Sequence, residues 1–193
     1  AGLPQSGQSF FTAASMMIAI PSGIQIFCWI GTIWLGRPRF HAPFMFVIGF
    51  IIIFVLGGLT GVMLASVPID LQVHDTFFVV AHLHYVLIGG SVFPLLGAVM
   101  FWFPKMTGRM MSERLGHISF WLAFVGFNVT FFPMHQLGLM GMPRRVYTYL
   151  PETGWGTLNL VSSIGAAILG AGVICFVVNA LGSLKFGAVA GAN

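Results

Sequence analysis

The stretch "AHLHYVL", Ala81–Leu87, sets two histidines one residue apart, His82 and His84, inside a run with no charged residue from Thr76 to Pro104. Positions two apart on an α-helix are rotated by about 200°. The two imidazoles therefore face nearly opposite sides of a helix and cannot share one metal ion. If both are ligands, they serve two cofactors flanking one helix. Counting from Asp75, a rise of about 1.5 Å per residue places His82 roughly 10 Å inside the apolar run. Ionisable groups at such depth are costly and functional by default; polar groups bonded across a helix bundle are the plain alternative.

The rest of the chain explains why that run is read as a helix in lipid. Of 193 residues, 58% are hydrophobic and 6% charged, against about a quarter charged in soluble domains. The charged residues gather at Arg37/Arg39, Asp70/Asp75, Lys105 to Arg114, Arg144 to Glu152, and Lys185. The charge-free stretches between them reach the roughly 20 residues that a bilayer requires. They predict an all-α, polytopic transmembrane helix bundle forming one domain over 1–193, with spans near 9–35, 43–67, 76–103, 116–139 and 158–184. The net charge of +4 is then a topology signal rather than a nucleic-acid footprint. Arg37, Arg39, Lys105, Arg109, Arg114 and Lys185 fall on the side that the positive-inside rule calls inner. Asp70, Asp75 and Glu152 fall outside, and Arg144-Arg145 stand there against the rule.

Pro21, Pro94 and Pro133 interrupt spans, where neighbouring helices satisfy the freed carbonyls. The small-residue runs Val55–Ser66 and Ser162–Gly172 suit close helix packing. Cys28 and Cys175 lack metal or disulfide spacing and read as small buried hydrophobes. The opening "AGLPQSGQSFF" has no basic region or cleavage pattern, so it is not a signal peptide and reads as the interior of something longer.

Large apolar neighbours around His82 and His84 supply the dry, flat walls that a haem requires, which favours axial ligation over packing. A haem edge turned outward presents carboxylates, and paired arginines recognise carboxylates well; Arg144-Arg145 meet that need. His74-Asp75 offer nitrogen and oxygen donors for magnesium or manganese, too few for a complete site, while Asp75 as a helix cap is the competing reading.

At this point "VHDTFFVVAHLHYVLIGG" (Val73–Gly90) and "FNVTFFPMHQLGLMGMPRR" (Phe127–Arg145) are similar to subunit I of the haem–copper terminal oxidases, in particular the A-type cytochrome c oxidases. The resemblance extends through "PSGIQIFCWI", "GGLTGVMLAS" and "WGTLNLVSSIGA", and maps the chain onto the last five of twelve helices. It implies His82 as proximal ligand of the high-spin haem, the catalytic position, and His84 as one axial ligand of the low-spin haem. It implies His74 and Asp75 at a magnesium or manganese ion, Arg144, Arg145 and Asp70 at the haem propionates, and Ser22 and Gln25 on a proton pathway. The implied cofactors are two haems, of the heme A type, and copper. The implied partners are the N-terminal part of subunit I, subunits II and III, cytochrome c or quinol as donor, and the lipid of a bacterial plasma membrane or mitochondrial inner membrane.

Three departures accompany the resemblance. The copper histidines and the second low-spin ligand belong upstream, and no His-His pair occurs here. Gln25 stands where many members carry lysine, which puts that pathway in doubt. Phe77, Phe78 and Leu83 replace residues often Tyr, Tyr and Phe. The expected reaction is reduction of oxygen to water coupled to proton translocation, carried out only by an assembled complex. A quinol-fed oxidase and a non-catalytic haem-binding or assembly subunit are the alternatives, the latter needing His117 or His135 as second axial ligands.

Overall fold

In the computed structural model, which describes residues 4–191, the five apolar stretches form helices long and apolar enough to cross a membrane. These are α1 (Gln5–Leu35), α2 (Ala42–Ala65), the interrupted helix of the third span, α6 (Glu113–Leu139) and α7 (Gly156–Phe186). The second span ends at Ala65 rather than 67, because Val67–Val73 turns into a separate short helix, α3, with Pro68 in its first turn. Proline is tolerated there because the first N–H groups of a helix have no partner to lose.

The third span runs over α4 (Phe77–Leu87), a π-helical turn (Ile88–Val92) and α5 (Phe93–Thr107). The π turn precedes Pro94, which lies in the first turn of α5. The proline therefore restarts the helix instead of breaking it. Gly89 and Gly90 occupy this turn against α2: a Cβ on Gly89 would sit 2.2 Å from Ile53 Cγ2. Wide turns of this kind mark functional helices, and here the turn follows the histidine pair directly.

The core lies where α2, α4, α5, α6 and α7 meet. Phe46 is fully buried and meets the rings of Phe93, Phe120 and Phe176 at 6.0, 5.3 and 6.2 Å. Tyr85, also fully buried, packs on Phe127 at 5.0 Å and donates its hydroxyl to Asn128 Oδ1 at 2.9 Å. In contrast, no residue of α1 is buried; its Trp29 packs on Phe50 and Phe54 of α2, 5.0 and 6.5 Å between centroids. Cys28 is accordingly exposed and Cys175 half-buried. Among the described residues the expectation that both are buried is not met, since nothing there covers Cys28.

At the end of the bundle where α6 begins, side chains tie the helices together. Asn179 accepts from Ser112 N–H and donates to its carbonyl, both at 2.9 Å, joining α7 to the start of α6. Glu113 accepts the Ala42 N–H at 2.5 Å, satisfying one of the orphan donors at the start of α2. His41 and His117 flank the same carboxylate oxygen at 3.3 and 3.2 Å.

Candidate functional site

His82 lies on α4 where it faces α2. Its Nδ1 is 3.0 Å from the Gly57 carbonyl and 3.1 Å from Thr60 Oγ1. A nitrogen that close to a carbonyl carries the proton, so the ring is in the Nδ1–H form and Nε2 keeps its lone pair. Metal-ligating histidines are held in this way, with the second nitrogen donating to a carbonyl. Gly61 makes room for the ring: a Cβ there would lie 2.9 Å from His82 Cε1 and 3.6 Å from Nε2. Any larger residue would fill the cradle and crowd the free nitrogen.

His84 follows the same logic on the other side. Its Nδ1 bonds the Val80 carbonyl one turn earlier at 2.7 Å. The ring stacks on Phe131 of α6, 4.2 Å between centroids and 17° from parallel. Nε2 has no hydrogen-bond partner among the described residues. Both histidines are half-buried, each pinned through Nδ1, so both free nitrogens suit the iron of a haem. The donor chemistry fits axial ligation on two faces of one helix.

The opposite end of the bundle, where α4 starts and α6 stops, brings most of the remaining polar residues together. Asp75 adopts φ of 59° and Arg145 φ of 68°, left-handed conformations that side chains other than glycine rarely take. The loop after α6 docks on the start of α4 through its backbone: Phe77 N–H donates to Met142 O at 3.0 Å and Arg144 N–H to Asp75 O at 2.8 Å. Asp75 is not the cap of α4. Thr76 is, its hydroxyl accepting from Phe78 N–H at 3.2 Å. The Asp75 carboxylate is thereby free to pair with the Arg144 guanidinium. His74 bridges the two acids, Nδ1 at 3.5 Å from Asp70 and Nε2 at 3.8 Å from Asp75. Among the described residues no group of three or more His, Cys, Asp or Glu is arranged to hold a metal, so a divalent ion at His74 and Asp75 requires donors from outside them.

Other expected residues stand apart. Ser22 and Gln25 lie on α1, and the Ser22 hydroxyl donates to its own helix, at Ile18 O, 2.9 Å. Arg145 is exposed and joins no acid among the described residues. His135 has both ring nitrogens buried without a hydrogen-bond partner. Phe78, Tyr85 and Phe132 wall it in at 5.1, 5.3 and 6.1 Å. No iron reaches a nitrogen sealed in that way, and His117 is engaged with Glu113. The bis-histidine alternative thus lacks its second ligands among the described residues.

Gly57, Thr60 and Gly61, which the sequence places in a helix-packing run, lie against the His82 ring. Their i, i+3, i+4 spacing puts them on one face, the signal that marks a surface turned toward one neighbour.

Comparison with known proteins bears on this arrangement. A family described as cytochrome c and quinol oxidase polypeptide I matches residues 1–168. Cytochrome c oxidase subunit 1 of Synechocystis sp. is 52% identical over 192 residues, 100% of this chain and 34% of that protein. The corresponding subunit of Bacillus subtilis is 52% identical over 192 residues, 100% of this chain and 31% of its own length. Quinol oxidase subunit 1 of Bacillus spizizenii is 46% identical over 185 residues, 96% of this chain and 28% of that protein. The chain thus spans about a third of the length of the curated relatives it matches. Its fold matches a heme-copper terminal oxidase dimer solved by cryo-EM, with TM-score 0.83 at 18% identity, covering 100% of this chain and 39% of that one.

Proposed function

This chain belongs to the cytochrome c and quinol oxidase polypeptide I family, and from that premise we propose that it forms the haem-ligating C-terminal part of the catalytic subunit of a respiratory oxidase. It is an integral membrane protein, as five apolar helices and respiratory relatives indicate. The observation that carries the proposal is the pair of histidines on opposite faces of one helix. Each is held at Nδ1 by a backbone carbonyl and each has Nε2 free.

In this reading His82 holds the high-spin haem and His84 the low-spin haem. Haem and copper, when bound, supply the redox chemistry that reduces oxygen to water. The chain's own residues orient and enclose. Gly57 and Val80 carbonyls fix the two tautomers, and Phe131 holds the plane of His84. Arg144 and Arg145 place two guanidinium groups at the outer end, where haem carboxylates are recognised; Asp75 and Asp70 balance that charge. His74 and Asp75 provide an imidazole nitrogen and a carboxylate oxygen for magnesium or manganese. The copper ligands come from the upstream part of subunit I, and subunits II and III complete the complex. Cytochrome c as donor is supported by the higher identity to cytochrome c oxidases, 52% against 46%. A quinol donor is the second reading, carried by that 46% identical quinol oxidase. Oxygen uptake by the purified complex with reduced cytochrome c, and separately with a quinol, distinguishes them.

The ligand assignment is tested by optical spectra of the reduced complex with and without carbon monoxide. His82→Ala is expected to remove the band of the CO-reactive haem, and His84→Ala to disturb the other haem while leaving CO binding. Persistence of both bands in both variants rejects the proposal.

The ion site has its own test. Asn tolerates the left-handed backbone of Asp75, and the bonds that dock the loop are main-chain ones. The half-exposed Asp75–Arg144 pair contributes about 0.2–1 kcal/mol. Asp75→Asn is therefore expected to leave the haem spectra and the fold in place while abolishing the electron paramagnetic resonance signal of bound manganese in complex prepared with Mn²⁺. A retained manganese signal would count against Asp75 as a ligand.

A further inference from the structure

We infer that Thr60 is a positioning residue for His82, adding a second acceptor to the Nδ1–H that the Gly57 carbonyl fixes and so tuning the electron density the imidazole offers through Nε2. The inference rests on His82 being the ligand of the high-spin haem. Three polar atoms form a closed triangle between α2 and α4: Thr60 Oγ1 to Gly57 O at 2.9 Å, His82 Nδ1 to Gly57 O at 3.0 Å, and Thr60 Oγ1 to His82 Nδ1 at 3.1 Å.

The proton assignment follows from what each atom can do. The Gly57 carbonyl only accepts, so the Thr60 hydroxyl proton is directed to it. The lone pairs of Thr60 Oγ1 then face Nδ1, and the Gly57 carbonyl faces it as well. Two acceptors around one ring nitrogen impose the Nδ1–H form, because the other tautomer would set its lone pair against the carbonyl at 3.0 Å. One ring N–H shared between two acceptors is more strongly polarised than one given to a carbonyl alone. That raises the basicity of the opposite nitrogen, as outer-shell partners of metal-bound histidines do. Thr60 is held for the task by its own helix: its bond to Gly57 is an i to i−3 contact within α2, so the hydroxyl is oriented before any partner arrives.

A side chain that only filled space would not need its oxygen. Thr60→Val removes the acceptor and keeps the branching, while Thr60→Ser keeps the acceptor and removes a methyl. In the assembled, purified oxidase, Thr60→Val is expected to retain the CO-reactive haem. Its iron–histidine stretching band, read by resonance Raman in the reduced state, is expected to move to lower wavenumber. The midpoint potential of that haem is expected to rise, because a less basic imidazole stabilises the ferric state less. Thr60→Ser is expected to restore both values, and Gly58→Ala, whose Cβ meets nothing within 4 Å among the described residues, to leave both unchanged.

If Thr60→Val fails to assemble, Thr60→Ala removes the same acceptor without a methyl beside Nδ1 and is read in the same way. An unmoved band in the acceptor-less variant overturns the inference, and so does an equal shift in Thr60→Ser, which would make the effect one of packing. Failure of the ligand assignment itself is separable: it appears as a CO-reactive haem that survives His82→Ala, whatever the Thr60 variants do.

Discussion

Gly138→Ala is expected to disable the outer end of the bundle. A Cβ at this position would lie 2.1 Å from Phe78 N and 2.6 Å from Phe78 Cα. These are backbone atoms of the first turn of α4, which has no rotamer to yield. Relief requires the end of α6 to move off α4 as a body. That movement stretches the Phe77–Met142 and Arg144–Asp75 backbone bonds and opens the aromatic box around His135. Forced overpacking commonly costs about 1–3 kcal/mol, and a contact against main chain belongs at or above the upper end. About 3 kcal/mol is roughly a hundredfold in the folded-to-unfolded ratio. The measurement is haem recovered per unit of membrane protein, with the thermal midpoint of the extracted complex. Gly156→Ala, at a position where a Cβ meets nothing within 4 Å among the described residues, is the control and is expected to match the parent. Equal yield and midpoint for Gly138→Ala would show that α6 does not seat on α4 as described.

The second large effect is expected along the seam of α6 and α7. Cβ atoms added to Gly165 and Gly172 would sit 2.5 Å from Thr130 N and 2.6 Å from Ala123 N. From the facing helix, one on Gly126 would sit 2.4 Å from Leu169 N. The two backbones thus run in contact over several turns. In lipid there is no gain from hiding apolar surface between helices, so such close packing is the main attraction available. Gly165→Leu inserts four carbons where one does not fit and separates the helices. We expect at least about 3 kcal/mol of lost stability, seen as loss of extractable haem-containing complex and as protease cleavage between α6 and α7. Gly170→Ala, on the same helix with nothing among the described residues within 4 Å of its Cβ, should leave both readouts as in the parent. Intact complex in Gly165→Leu would contradict the seam.

The contrast between Gly165 and Gly170 shows where sequence reading stops. Both sit in one small-residue run, and spacing alone marks the run as a packing surface without saying which glycine meets backbone. That depends on the relative rotation and register of two helices. The same holds for Val55–Ser66, where packing was legible but the Gly57 carbonyl, the Thr60 hydroxyl and the space beside Gly61 became a cradle only once α4 lay across them. Cys28 was misjudged because hydrophobic surroundings in sequence do not tell which face of α1 has a neighbour. Asp75 could be read as a cap or as an acid with another task. The choice fell to Thr76, whose extended backbone and hydroxyl sit one residue closer to the first turn of α4.

The amino-acid sequence by itself determined the class of the fold, the number of spans and the opposed aim of His82 and His84. These follow from hydrophobicity and the pitch of one helix, which are local quantities. Only the tertiary structure decided which nitrogen of His82 is held by a carbonyl, that Asp75 meets Arg144 across a loop nearly seventy positions later in the chain, and that the ring nitrogens of His135 are closed off. Each of those outcomes depends on atoms brought together from distant segments. Hydrogen bonds and steric contacts act over a few ångströms of space, and separation along the chain does not encode such distances.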